Sequence, residues 1–218
     1  MANSAAARTE ILRRIRVATG DAVDRAAIEA EWRGIDREYK KVRSVDPDGL
    51  LHQLEDRLRD YDAGVYHSDS AGISALVGRI LGERGKQTMA VPSGLPAEWL
   101  PAGVAFVEDM RGDVAAIDSC EGVLTSATLA IAETGTIVLQ DAPGQGRRAV
   151  TLLPDYHLCL VNAANIVQTV PEAMALLQPT AHLATTFFSG PSATADIEMT
   201  RIKGVHGPRF VDVILIVD

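Results

Sequence analysis

Cysteine is scarce in this chain: Cys120 and Cys159 are its only two, they lie far apart, and they form no C-x-x-C pair. Four thiolates hold a typical iron–sulfur cluster, so the chain alone builds none, and two isolated thiols are no disulfide framework. Their expected state is buried and reduced. No stretch approaches the roughly 18 uninterrupted apolar residues that span a bilayer. Basic residues bring no excess either, because 21 Lys and Arg face 29 Asp and Glu for a net charge of −8. That balance argues against nucleic-acid binding by phosphate neutralisation. The five histidines show no H-x-x-x-H or similar pairing, so no metal site is expected. Internal repeats and low-complexity segments are missing. The arginine-rich opening, "MANSAAARTEILRRIRVATG", lacks the apolar h-region of a secretory signal. Ile11, Leu12, Ile15 and Ala18 fall on one helical face there, which predicts a surface helix and a cytoplasmic protein.

What is present describes an ordinary globular protein, with 47% hydrophobic and 23% charged residues. Charge is unevenly spread. Residues 1–60 carry 12 basic and 12 acidic side chains, and positions 61–218 the remaining 9 and 17, so the whole net charge sits where charges are sparse. Residues 1–45 read as charged helices without a core of their own, a helical segment preceding an α/β domain over 46–218. After "DPDG", Leu50, Leu51, Leu54, Leu58 and Tyr61 recur at helical spacing, "AGVYHS" reads as a strand, and Ile73, Leu76, Val77, Ile80 and Leu81 mark a second helix before the strand-like "QTMAV". This alternation predicts a mainly parallel sheet flanked by helices. From Gly122 to about Val161 the runs "LAIAE", "TIVLQ" and "YHLCLV" are too closely connected for crossover helices and predict an antiparallel insertion. A helix at "EAMALLQ", a strand at "TTFF", a turn and helix start at "SGPSATADIE" and a last strand at "FVDVILIV" complete the pattern.

Three places offer chemistry. If "LAIAE" is a strand throughout, Glu133 shares a face with Leu129 and Ile131, where burial would favour its protonated form. Alternatively Glu133 opens a Glu-Thr-Gly-Thr turn and its carboxylate accepts hydrogen bonds there. In "SGPSATADIE", Ser192 and Thr194 are plausible N-caps of a helix whose N–H groups could hold an anion, although Asp196 and Glu198 would repel one. In "GVHGPR", Gly204, Gly207 and Pro208 specify a tight loop that could display His206 and Arg209. "PGQGRR", residues 143–148, lacks P-loop spacing and reads as a solvated hairpin.

"AIAETGTIVL", "TLLPDYHLCLV", "SGPSATADIE" and "GVHGPR", in this order and at these separations, resemble the LUD-domain family of lactate-utilisation proteins. The likeness is closest over roughly residues 120–218. It implies a fold of the kind seen in glucosamine-phosphate isomerases, ribose-phosphate isomerases and CoA-transferases. It also implies an accessory, non-redox subunit of a system that oxidises L-lactate to pyruvate, with iron–sulfur clusters carried by sister proteins and no cofactor bound by this chain alone. The pocket expected on these grounds binds a small anionic metabolite through Thr134, Gly135, Thr136, Ser189, Gly190, Ser192, Thr194 and Arg209, with Glu133 and His206 as the catalytic candidates. The alternative is an independent CoA-transferase-like or ligase-like enzyme using Glu133, because a strand-end glutamate is the nucleophile in the transferase branch.

Overall fold

The computed structural model describes residues 3–20, 24–38, 44–111, 113–194, 202–203 and 207–218. The chain forms two compact units, residues 1–39 and 40–218. The first holds helices α1 (Asn3–Thr19) and α2 (Arg25–Gly34). Both carry exposed apolar residues at helical spacing, Ile11, Leu12 and Ile15 on α1 and Ile28, Trp32 and Ile35 beside or on α2.

The second unit begins with α3 (Pro47–Asp60), whose N-cap Asp46 accepts a hydrogen bond from the Gly49 N–H, with Pro47 in the first turn. Strand β1 (Gly64–Ser68), α4 (Ile73–Glu83), β2 (Thr88–Val91), β3 (Ala105–Glu108), the short α5 (Val114–Asp118) and β4 (Gly122–Ser126) follow. The insertion contributes β5 (Leu129–Ile131) and β6 (Thr136–Gln140) before β7 (Tyr156–Asn162). Then come β8 (Ile166–Val167), α6 (Val170–Leu177), β9 (Thr185–Phe188), β10 (Ser192–Thr194), β11 (Ile202–Lys203) and β12 (Phe210–Ile216). A full capping box between Thr169 and Glu172 starts α6.

Six strands form an all-parallel sheet in the order β1-β12-β7-β4-β2-β3. A four-stranded mixed sheet, β8-β5-β6-β9, holds two of the runs expected in an antiparallel insertion, β5 and β6; the third, "YHLCLV", is instead β7, a parallel strand between β12 and β4, because residues 141–155 carry the chain back to the main sheet. Alternation along the parallel strands sends Ile214 and Ile216 with Leu158 and Leu160 toward α4, and Val211, Val213 and Leu215 with Cys159 and Val161 toward α3 and the mixed sheet. The outer face of the mixed sheet is covered by Ala173 and Leu177 of α6. Parallel strands buried on both faces explain the continuous apolar run at 210–217.

Asp212 interrupts that run. It is fully buried, takes two bonds from Arg84 at 2.7 and 2.8 Å, and accepts the Tyr156 hydroxyl at 2.8 Å. Burial against this carboxylate pushes the Tyr156 phenol well above its usual range, so it stays a donor. One expectation is corrected. "SGPSATADIE" starts no helix at Ser192: residues 192–194 form β10, paired antiparallel with β11, and Asp196 and Glu198, with the helix expected after Thr194, lie outside the described residues. The local Ser and Thr suit a cap or a strand equally, and at residues 192–194 pairing with Ile202–Lys203 decides for the strand.

Candidate functional site

In the parallel sheet, β2 leads outward to its neighbour β3, whereas β4, on the other side of β2, leads the opposite way to β7. Adjacent strands whose onward connections part in this way leave a crevice at their carboxyl ends, where ligands of open α/β sheets bind. Three loops meet beside that point, over the carboxyl ends of β2 and β3: residues 92–95 after β2, 109–111 after β3, and 141–147 after β6. They enclose a cavity of roughly 90 Å³. At 10–15 Å³ for each water-sized probe, this is room for a handful of non-hydrogen atoms.

The loops are locked together by backbone contacts. Gly144 donates its N–H to the Ser93 carbonyl at 2.7 Å, and its own carbonyl accepts the Ser126 N–H at 2.8 Å. Gly144 is left-handed at φ 76°, and a Cβ there would stand 2.7 Å from Ser126 Oγ. Buried Gln145 braces the loop from within, its Oε1 accepting from the Thr128 hydroxyl and the Gln140 N–H at 2.7 Å each. "PGQGRR" is therefore no solvated hairpin: Gly144 and Gln145 are buried, and the segment roofs the crevice.

Two arginine–aspartate pairs line the cavity. Asp109, 7% exposed, receives Arg147 through Nε and Nη2 at 2.9 Å each, and its Oδ1 also accepts the Arg111 N–H at 3.0 Å. The Arg147 guanidinium holds the Asp109 carboxyl below the usual carboxylate range. Arg111 reaches Asp141 at 2.7 and 3.3 Å. Sequence reasoning did not single out Asp109, Arg111, Asp141 or Ser93, because only the strand order brings them together. The glycine spacing of "PGQGRR" was the available signal.

The residues expected to form the pocket lie elsewhere. Glu133 occupies the turn between β5 and β6, half-buried; its N–H donates to the Gln168 carbonyl at 3.1 Å and its Oε1 accepts from Gln168 Nε2 at 3.2 Å. Gln168 Oε1 in turn accepts the Ser44 N–H. Thr134, Thr136 and Ser189 form a hydroxyl chain at 2.7 and 2.8 Å, so the "ETGT" and "SG" segments do meet. Gly135 sits against Arg57 and Gly190 against Tyr61, at the end of α3 that leads into the amino end of β1. This cluster and the crevice thus stand at opposite ends of β6, roughly 15 Å apart at 3.3 Å per residue. Arg209 is paired with Asp155 at 2.5 and 2.9 Å, just before β7. The side chains of Ser192 and Thr194, and His206 altogether, lie outside the described residues.

Among the described residues no group of three or more His, Cys, Asp or Glu is arranged to hold a metal ion, and no helix is long and apolar enough to cross a membrane. Both thiols are buried; burial raises the Cys120 thiol and pushes Cys159 up to about 12, so both stay protonated.

The chain is 41% identical over 170 residues to lactate utilization protein C of Deinococcus radiodurans, covering 77% of this chain and 79% of that one. It is 27% identical to lactate utilization protein C of Bacillus velezensis over 86% of both chains. The crystal structure of a DUF162 family protein from Deinococcus radiodurans superposes with a TM-score of 0.70 at 36% identity, covering 79% of this chain and 99% of the other. Residues 99–216 match the LUD domain. The chain belongs to the LUD domain family.

Proposed function

We propose that this protein serves lactate utilisation in the cytoplasm and that its part is to hold a small anionic metabolite in the crevice at the carboxyl ends of β2 and β3. The observation that carries the ligand reading is the partly open cavity beside the switch point, lined by two arginine–aspartate pairs. The likeness to lactate utilization protein C supports the metabolic role. Oxidation of a 2-hydroxy acid to a 2-oxo acid removes two electrons and two protons. We assign their acceptor to partner proteins carrying iron–sulfur clusters, in keeping with two thiols that are buried and protonated here. The chain then acts as an accessory subunit that binds and presents the acid.

The test is thermal unfolding of the purified protein against L-lactate, pyruvate, inorganic phosphate, CoA thioesters and nucleotides. A ligand at a hundred times its Kd adds about 2.7 kcal/mol, which raises the midpoint of a chain this size by roughly 5–10 °C. A shift with a small acid, kept in Glu133→Gln, is the expected result. Turnover of a CoA thioester by the isolated protein, abolished in Glu133→Gln, would instead establish the transferase alternative.

A further inference from the structure

The two arginines of the crevice hold their partners differently. Arg147 grips a carboxylate that is 7% exposed, and that carboxylate also takes the Arg111 N–H, so both Asp109 oxygens are committed. Arg111 meets Asp141 with one close bond at 2.7 Å and one long one at 3.3 Å, and its side chain is 65% exposed. Exposed pairs of this kind contribute little to stability and exchange readily. Arg111 is also left-handed at φ 60°, a strained backbone for a residue with a Cβ, and strain of this sort gathers at ligand clamps.

We propose that Arg111 is the ligand-binding cation of this crevice, that Asp141 fills its guanidinium fork when no ligand is bound, and that a small monocarboxylate takes the place of Asp141. The inference rests on the reading above that the crevice holds a metabolite. Its chemistry follows from what occupies the fork already. Asp141 presents a planar pair of oxygens, the group that a guanidinium matches with two parallel bonds. The roughly 90 Å³ of space admits an acid of a few atoms. Charge selects a monoanion. Arg147 and Asp109 cancel, a carboxylate on Arg111 cancels that charge, and the displaced Asp141 then repels any second negative charge on the ligand. A dianionic phosphate is disfavoured for this reason.

Calorimetric titration of the full-length protein with pyruvate, L-lactate and inorganic phosphate tests this, using Arg111→Gln, Asp141→Asn and the double variant. If Asp141 occupies Arg111 about nine-tenths of the time, its removal tightens binding of the carboxylates by roughly tenfold. Arg111→Gln loses at least that much, Asp141→Asn has no effect in the Arg111→Gln background, and Arg111→Lys, which keeps the charge but not the fork, binds weakly. Carboxylate binding that is the same in wild type, Arg111→Gln and Asp141→Asn would overturn the role of Arg111 while leaving a ligand in the crevice. Phosphate binding tighter than pyruvate would overturn the monocarboxylate class. Failure of every protein, Asp141→Asn included, to bind any of the three would remove the ligand reading itself.

Discussion

His157 is fully enclosed between the two sheets, with Nε2 2.8 Å from the Thr125 hydroxyl and its ring 5.2 Å from that of Phe188. Burial, aided by the nearby Arg148 charge, pushes it down to about 3. The unfolded imidazole titrates near 6.5, so below that pH the unfolded chain takes up a proton that the folded one refuses. Stability is complete above about pH 6.5 and falls by about 1.4 kcal/mol per unit below it, until the folded ring itself protonates near 3. Asp109 adds to the loss only lower, beneath about pH 4, because Arg147 keeps its carboxyl ionised in the fold. Urea midpoints at pH 7, 6 and 5 check this. His157→Gln should remove about one proton's worth of slope over that interval; an unchanged slope would assign it to other groups. At this scale Glu133 was half legible. Its position in "ETGT" named the turn as one of two options, and period-2 alternation named the other. The deciding fact, that β5 stops at Ile131 and the chain reverses against Gln168, depends on β8, far away in sequence.

Among elements, strands and helices with strong periodicity were readable: α3, α4, α6 and the parallel strands β1, β2 and β12 stand where apolar spacing placed them, whereas β7, read as part of the antiparallel insertion, is a central parallel strand. The strand at residues 192–194 was not, since it forms only by pairing with β11. The crevice was invisible for a related reason, because β2, β4 and the loop after β6 become neighbours only through strand order. Two glycines that look alike in sequence illustrate the difference. Gly82, near the end of α4, has no atom within 4 Å of an added Cβ, so Gly82→Ala should be neutral or stabilise by up to about 1 kcal/mol. Gly144→Ala meets a left-handed backbone worth about 1–2 kcal/mol, with the Ser126 contact in addition. It should lower the unfolding midpoint by several degrees and weaken any ligand response, whereas Gly82→Ala leaves that response intact. Paired melting curves with and without pyruvate separate the two.

At the scale of the whole molecule, the segment that matches the LUD domain and the segment that folds are different lengths. The LUD match opens at residue 99, after β1, α4 and β2. Yet β2 lies between β4 and β3, and it is the strand through which β3 joins the sheet. Leu50, Leu54 and Leu58 of α3 and Ile73, Val77, Ile80 and Leu81 of α4 fill the two faces of that sheet. A fragment of residues 99–218 should therefore lack a cooperative melt, while residues 40–218 retain one by circular dichroism. Because β2 of the earlier segment slots between β4 and β3 of the later one, and β1 pairs along β12, residues 40–98 and 99–218 produced as separate chains should find each other and rebuild the sheet. Cutting the chain at that point would make a split protein whose halves report their own reunion.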